Sequence, residues 1–357
     1  MPPNVNLLAY LQSKTQIDCD SLSLDVLASY DHFVDCTSNQ ADSYYEFLNE
    51  GRYDLLQKSV AFARGIYHEF PGVTLEEFAV EVSMVTVSLT AIPFIRGNIH
   101  VMANPSLAYS TPKIVENAKR ISNLCHRWDP EFDLSRLVIK VPATWEGLQA
   151  CRELTSTGIN TLATTLFTIE QAILAAEAGC ISISPFVHEL KVHFDETYHD
   201  VDPIFELCLE AQQYFEQYSY TTRVKACSLI DVEEVMKLAG IAALTLPPGL
   251  MSGLRDTEDS EDEVFNLSIF DHKTDDSQAS KRLSFIDDEA KFREAFSQRE
   301  NGKGQSKTNQ AIELFCGFQT KAENLLRGLL DQQRHDGLTK GVQEEALEQT
   351  QKTLIGA

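Results

Sequence analysis

Basic side chains are scarce in this sequence of 357 residues, which has 30 lysines and arginines against 53 aspartates and glutamates and a formal net charge of −23. Such an acidic surface repels phosphate backbones and anionic lipid. Residues 1–20 lack the basic start and apolar core of a secretory signal. The longest apolar stretch, residues 82–95, is interrupted by Ser and Thr and is too short to span a bilayer. We therefore expect neither nucleic-acid nor membrane partners.

Closely spaced cysteine pairs are also missing. No CxxC occurs among the eight cysteines, which lie far apart at positions 19, 36, 125, 151, 180, 208, 227 and 316. This pattern predicts reduced thiols in a cytoplasmic protein, with neither a disulfide framework nor a zinc site. The glycine-rich motifs GxGxxG and GxxxxGKS/T follow none of the apolar runs, which disfavours a nucleotide-binding fold.

Short β-branched or apolar runs alternate with longer segments of helical periodicity. This alternation predicts an α/β fold with parallel strands and right-handed crossovers, and eight strands close into a (β/α)8 TIM barrel. An open doubly wound sheet is the alternative. Thr111 before Pro112 predicts an N-cap, and glycines at 158, 179 and 240 predict C-terminal caps. The predicted strands are residues 15–18, 33–38, 97–102, 137–141, 160–166, 180–184, 223–228 and 242–246, and helices are predicted at 112–124, 144–157, 168–178 and 232–239.

The chain is expected to form one domain, residues 1–334, with additional helices after the barrel. Residues 257–307 are acidic and rich in Ser, Asp and Gln, so about half of this segment is expected to be a mobile loop. Residues 285–296 and 308–330 have apolar positions at helical spacing and are predicted to be helical. The polar tail, 335–357, is expected to fray. The sequence leaves open whether part of 257–307 closes over the barrel as a lid.

Lys140 lies near the end of the fourth predicted strand, within the apolar run LVIKVPA. Residues at the carboxyl ends of barrel strands face the active site. Burial disfavours the charged form of a lysine, and a neutral amine is the nucleophile that Schiff-base catalysis needs. The ordinary alternative is a lysine whose stem packs while its ammonium group reaches water.

Around Lys140 the sequence resembles the transaldolase family. The resemblance rests on IKVPATWEGL at 139–148, DCTSN at 35–39, GIN at 158–160 and AAEAGCISISPFV at 175–187, and it extends over most of the chain. It indicates a divergent member of the family. It implies a (β/α)8 barrel that performs class I aldolase chemistry on a small-molecule carbonyl substrate, with neither a metal ion nor an organic cofactor.

By this resemblance, Lys140 is the Schiff-base residue, and Asp18 is the general acid/base that removes a hydroxyl proton during retro-aldol cleavage. Taken singly, the polar residues of the set also fit ordinary roles as caps, turn residues or strand hydroxyls. The other matching positions are Asn39 and Ser184 for hydrogen bonds to the keto fragment, Thr37 and Thr164 for lining the site and placing water, and Phe186 for an aromatic wall.

Several positions depart from the family pattern. The third-strand glutamate of the family, which works through a water molecule during imine formation, falls on Met102, and a thioether cannot transfer protons. The fifth-strand asparagine, which contacts substrate, falls on Leu162. The two arginines that bind the sugar phosphate fall on Glu189 and about Leu229, and a glutamate would repel a phosphate dianion. These departures predict a more apolar pocket that suits an unphosphorylated carbonyl compound.

Two further residues have open roles. His100 lies on the same strand face as Met102 and either replaces the lost proton relay or, as we favour, packs as a satisfied histidine. Lys225 on the seventh strand either points inward, where it pairs with Glu189 or provides a second amine, or lies at an exposed strand end.

The sequence thus favours a transaldolase-like enzyme that uses a carbinolamine or Schiff base on Lys140. Its reaction would be aldol-type C–C bond chemistry or an imine-driven condensation on an unphosphorylated carbonyl substrate, with specialised metabolism as the setting. Two alternatives stay open: a pentose phosphate pathway transaldolase acting on sedoheptulose 7-phosphate and glyceraldehyde 3-phosphate, and a catalytically silent barrel with a binding role. A homodimer through the outer helices also stays open.

Overall fold

The β-branched and aliphatic runs form parallel strands that suit a sheet covered on both faces. The computed structural model describes residues 4–30, 33–271 and 281–355, with side chains as far as Gln333. In chain order the strands are β1 (Asn4–Asn6), β2 (Gln16–Cys19), β3 (Cys36–Thr37), β4 (Ile99–Met102), β5 (Leu137–Pro142), β6 (Asn160–Leu166), β7 (Ser182–Pro185), β8 (Arg223–Ala226), β9 (Ala243–Leu246) and β10 (Glu258–Ser260). Each strand from β2 to β9 pairs with the next in parallel, and β9 pairs with β2.

The predicted TIM barrel is therefore confirmed, and all eight predicted strands are present within a few residues of their expected bounds. The largest difference is at β3, which was expected at 33–38 and spans only Cys36–Thr37. We call the carboxyl ends of the barrel strands the mouth and their amino ends the base.

Helices follow the strands and cover the outside of the barrel. They are α1 (Leu7–Lys14), α2 (Leu24–Ala28), α3 (Gln40–Phe47), α4 (Tyr53–Ile66), α5 (Leu75–Leu89), α6 (Thr111–Trp128), α7 (Trp145–Ser156), α8 (Ile169–Glu177), α9 (Phe205–Gln217), α10 (Val232–Lys237), α11 (Pro248–Asp256), α12 (Glu261–Leu267), α13 (Glu289–Gln298) and α14 (Lys303–Ile355). Gly158, Gly179 and Gly240 end helices with φ values of 84°, 80° and 105°, as their predicted capping role requires.

The predicted N-cap of α6 is off by one residue. Ser110, which has extended backbone angles, is the N-cap, and Thr111 is already helical. The Thr111 hydroxyl donates to the Glu146 carbonyl, 2.8 Å away, so it is not available for capping.

Helix α5 contains the first part of the apolar stretch noted in the sequence, residues 82–95. Residues Leu75–Phe94 are long and apolar enough to cross a membrane by length and composition, with a mean hydropathy of 1.4, but 72% of this stretch is buried inside the protein. It packs between α4, α6 and α14. We interpret it as a core helix.

Residues 257–271 form regular structure, within a segment of which about half was expected to be a mobile loop. Strand β10 pairs antiparallel with β1, and Ser260 caps α12 through a hydrogen bond from the Glu263 backbone N–H. The segment then packs at the base, where the Ser268 hydroxyl donates to the Ala239 carbonyl. The lid alternative is therefore wrong for residues 257–271, which lie at the end of the barrel opposite Lys140. Residues 272–280 lie outside the described part of the chain.

Helix α14 begins across the mouth. The Thr308 hydroxyl donates to the carbonyl of Thr165, just inside the end of β6, over 3.1 Å. The Phe315 ring meets the Phe186 ring edge-on, with 6.4 Å between centroids. The predicted helix at 308–330 is thus present but longer, and it continues to Ile355 through the tail that was expected to fray. α13 covers most of the helix that was predicted at 285–296.

Candidate active site

Lys140 lies inside the barrel near the carboxyl end of β5. Its side chain is buried, with 4% of the residue exposed. Among the described residues, the only hydrogen bond of its Nζ goes to Thr37 Oγ1, 3.4 Å away. The Phe186 ring centroid lies 6.0 Å from Nζ, which places this aromatic side chain beside the amine. Its role as a wall of the substrate site stays a prediction. An amine in this position has one neutral hydrogen-bond partner and an apolar neighbour.

Met102 and Leu162 flank Lys140 at the same level of the barrel. Both pair with Lys140 in the strand register, and partners in register point to the same face of the sheet. Both are buried. They make two sides of the pocket apolar, in line with the more apolar pocket that the sequence predicts.

Hydroxyl groups with unused hydrogen-bonding capacity lie on β6 and β7. Thr164 Oγ1 and Ser182 Oγ are buried and have no hydrogen-bond partner. Ser184 Oγ lies 3.2 Å from Cys227 Sγ, and burial raises the pKa of that thiol to about 12, which keeps it neutral. Buried polar atoms without partners are costly in a finished core and are expected where a polar ligand or water binds.

Asn39 links β3 to α3 as the N-cap of that helix. Its Oδ1 accepts hydrogen bonds from the backbone N–H groups of Ala41, at 2.8 Å, and Asp42, at 3.0 Å. The ordinary capping role of Asn39 is therefore observed. Its side-chain amide nitrogen is not used by these two bonds, so the predicted role in substrate binding stays compatible with the cap.

Asp18 lies one layer below Lys140, towards the base. Its Oδ2 accepts a hydrogen bond of 2.6 Å from Lys225 Nζ, and its Oδ1 accepts from Gln16 Nε2 and the Asp35 backbone N–H. Every described hydrogen bond of Asp18 thus goes to Gln16, Asp35 or Lys225, and we call these residues together with Asp18 the lower layer. The structure does not bring Asp18 to Lys140 in the way that the predicted general acid/base role would need.

Lys225 and His100 also have their partners in this lower layer. Lys225 points inward, as one alternative had it, but its partners are Asp18 and Asp35 instead of Glu189. An ammonium group held between two carboxylates is a poor second amine. His100 Nε2 lies 3.2 Å from Asp35 Oδ2, and only 2% of the residue is exposed, which supports the packed-histidine interpretation over a proton relay. Hydrogen bonds and charges of His100 and Lys225 hold the pKa of Asp35 well below its usual range.

Two carboxyl groups near Lys140 were missed in the sequence. Asp20 follows the last residue of β2, and Asp42 lies in the first turn of α3. Burial raises the pKa of both carboxyls, and the positive charge of Lys140 acts on both in the opposite direction. Strand alternation contained the signal for Asp20, because it lies two residues after Asp18, on the same face and closer to the mouth.

Glu189 lies at the mouth within a ring of polar side chains. Its Oε2 accepts hydrogen bonds from the Tyr198 hydroxyl, at 2.5 Å, and Gln310 Nε2, at 2.7 Å, and its Oε1 lies 3.8 Å from Lys307 Nζ. Lys307 is also bound to Asp200. The hydrogen bond to Glu189 raises the pKa of Tyr198 to about 12. Leu229, at about the other arginine position, is buried.

Within the described residues, no group of three or more His, Cys, Asp and Glu side chains is arranged to hold a metal ion. The cysteines at all eight positions are free.

Comparison with known proteins identifies the family of this barrel. The family model of transaldolase/fructose-6-phosphate aldolase matches residues 17–324. The chain belongs to this family. It is 28% identical to a transaldolase of Pseudoalteromonas atlantica over 328 residues, which is 90% of this chain and 98% of the relative. It is 32% identical to a transaldolase of Kluyveromyces lactis over 245 residues, 67% of this chain and 71% of the relative. These matches confirm the resemblance to the transaldolase family that was noted around Lys140.

Proposed function

We propose that this transaldolase-family barrel is an enzyme of the class I aldolase type that binds a ketone covalently through Lys140. The observation that carries the proposal is the buried Lys140 amine, which is hydrogen-bonded to Thr37. In the strand register, Lys140 shares the inner face of the barrel with the buried, unpartnered hydroxyls of Thr164 and Ser182. Membership of a family of transaldolases and aldolases supports the same chemistry.

The amine would attack the ketone carbon and form a carbinolamine, which loses water to become a protonated imine. When the neighbouring C–C bond breaks, its electron pair moves to the iminium nitrogen and leaves an enamine on Lys140. Asp20 is the carboxyl that we assign as base for the hydroxyl proton of the departing aldehyde. The charge of Lys140 favours the ionised form of Asp20, and an iminium ion at the same nitrogen would do likewise.

The mouth favours a substrate without a phosphate at the position of Glu189. A carboxylate there would repel a phosphate dianion, and the nearby Lys307 is already paired with Asp200. Apolar side chains at Met102 and Leu162 also suit a less polar carbonyl compound. We therefore keep an unphosphorylated aldehyde or ketone as the proposed substrate class, for either C–C bond chemistry or an imine-driven condensation.

Transfer between sugar phosphates is the second candidate, and the relatives favour it. Proteins named transaldolase match this chain over as much as 90% of its length. A phosphate would then need another cation at the mouth. Lys321 and Lys191, which is itself paired with Asp195, line a cleft of about 440 Å³ beside Gln310 and are the candidates.

Reduction with borohydride and intact-mass spectrometry test the proposal. The protein is offered dihydroxyacetone, fructose and fructose 6-phosphate, and the same panel is offered to Lys140→Met and to Lys119→Met, a control on the exposed surface of α6. We expect an adduct in the wild type and Lys119→Met that is missing in Lys140→Met. An adduct with fructose 6-phosphate but not with fructose would favour the second candidate. No adduct in the wild type would refute the proposed function and favour a silent barrel.

The cytoplasmic location, the setting in specialised metabolism and the homodimer stay predictions. Size-exclusion chromatography with light scattering decides the last of these directly.

A further inference from the structure

The carboxyl group of Asp42 is unusual for a residue in the first turn of a helix. Its backbone N–H is bound by Asn39 Oδ1, and its side chain accepts a hydrogen bond from the Asn39 backbone N–H. Its other carboxyl oxygen, Oδ2, is buried and has no hydrogen-bond partner. The capping interaction uses one oxygen, so capping does not explain why the second is buried and unpartnered.

The surroundings of Asp42 raise the pKa of its carboxyl group and so favour the protonated form. The titratable groups around it are Asp20, Lys140, Glu46 and the thiols of Cys36 and Cys227. Burial and the negative charges of Asp20 and Glu46 raise the pKa of Asp42 well above its usual range, against the opposing charge of Lys140. Burial also raises the pKa of Cys227, while hydrogen bonding to Cys19 and burial raise that of Cys36. Two carboxyls that interact in one site do not both ionise readily, which favours the neutral form of one of them.

Imine formation needs such a neutral acid. The hydroxyl group of a carbinolamine leaves as water only when it receives a proton. Met102 has no proton to give, although it lies beside Lys140 in the strand register. His100 faces Asp35 in the lower layer. Neither Met102 nor His100 is therefore suited to this task, and Asp20 is already assigned as the base for C–C bond cleavage.

We propose that Asp42 is the catalytic acid that protonates the leaving hydroxyl group of the carbinolamine on Lys140. This inference rests on the proposed function. In the step, the Asp42 O–H bond and the C–O bond break, a water molecule leaves, and the nitrogen lone pair forms the C=N bond. The neutral carbinolamine and neutral acid become an iminium ion and an Asp42 carboxylate, so charge is conserved. In the reverse direction Asp42 takes a proton from the water that attacks the iminium carbon.

The test compares the rate of imine formation in the wild type, Asp42→Asn and Asp42→Glu. Rapid-quench borohydride trapping with dihydroxyacetone measures this rate, and intact mass quantifies the adduct. Asp54→Asn is the matched control, because Asp54 is an exposed acidic residue in the first turn of α4. We expect imine formation to be about 10²–10⁴-fold slower in Asp42→Asn, partly restored in Asp42→Glu and unchanged in Asp54→Asn.

The pH dependence separates a proton donor from a merely structural cap. The wild-type rate should fall as the pH rises through the pKa of Asp42, because the protonated acid is the active form. Asp42→Asn should lack that fall, while the need for a neutral lysine amine acts in the opposite direction in both proteins. Thermal unfolding of each variant shows whether it folds, and the wild-type profile tests the idea without any variant.

The outcomes separate the two levels of inference. A wild type that forms no adduct with any ketone overturns the proposed function and this assignment with it. A wild type that forms the adduct, with the same rate and pH profile in folded Asp42→Asn, overturns the role of Asp42 alone. A wild-type rate that does not fall with rising pH also overturns it.

Discussion

Asp18→Asn and Asp20→Asn should have opposite effects, although the two residues lie two positions apart at β2. Asp18 is completely buried and accepts a charge-assisted hydrogen bond from Lys225 at 2.6 Å. An asparagine amide facing the ammonium group would lose that bond. Because Asp35 still neutralises Lys225, we expect a loss of about 1.5–3 kcal/mol in the free energy of unfolding, the range for hydrogen bonds to charged groups.

Asp20→Asn should leave stability unchanged or raise it. The folded state raises the pKa of Asp20 chiefly by burial. For an acid whose pKa is higher in the folded than in the unfolded state, ionisation at neutral pH costs folding free energy, and this cost grows as the pH rises above the unfolded value. A neutral amide removes that cost. C–C bond cleavage by Asp20→Asn should, however, be slower by about 10²–10⁴-fold, because the base is lost.

Urea unfolding and a cleavage assay together provide the measurement. With a slope of about 3 kcal/mol per M, the midpoint for Asp18→Asn should fall by ~0.5–1 M. Cleavage is followed by release of the aldehyde from the ketose that gives the borohydride adduct. A stable Asp18→Asn without cleavage, together with an Asp20→Asn that cleaves normally, would show that the layers have been assigned the wrong way round.

The other predictions concern the lower layer and the mouth. Lys225→Met leaves two buried carboxylates without their shared cation and should cost about 3–5 kcal/mol, measured by urea unfolding; a change below about 0.5 kcal/mol would contradict the ion pairs. The pKa of Asp35 is lowered in the folded state, so its contribution to stability is present above the unfolded value of about 3.9 and is lost as the pH falls below that value. In a plot of the free energy of unfolding against pH, Asp35→Asn should therefore decline less steeply on the acid side than the wild type. Phe315→Ala removes a buried ring that packs on Phe186 and should cost about 3–5 kcal/mol, and an unchanged midpoint would show that α14 does not pack across the mouth in solution.

Much of the barrel could be predicted because its strands are local patterns. β6, for example, was predicted at 160–166 and spans Asn160–Leu166. The pair β1 and β10 was missed because it joins residues about 250 positions apart, and neither strand is longer than three residues. A three-residue polar run carries no periodicity that distinguishes a strand from a loop.

Within the site, the strand face on which a residue lies could be predicted, but its position along the barrel axis could not. Alternation places Asp18 and Asp20 on the same inner face, but which of them reaches Lys140 depends on the register between strands. Lys225 was expected inward as one alternative, yet its partners were wrong, because Glu189 lies past the end of β7 and Lys225 lies within β8. Asp42 could not be identified from the sequence. An acidic residue in the first turn of a helix is ordinarily explained by capping, and the pattern does not show that one of its oxygens is buried.

The barrel can close only late in synthesis of the chain. β2 can pair with β9 only after Ala243, which follows Cys19 by 224 residues, has been synthesised. At about 5–20 residues per second, β2 waits roughly 10–45 s with one edge unpaired. An exposed strand edge is a template for association with other chains, and charge on the strand opposes it. Asp18, an acidic side chain within β2 on its inner face, is a charge of this kind.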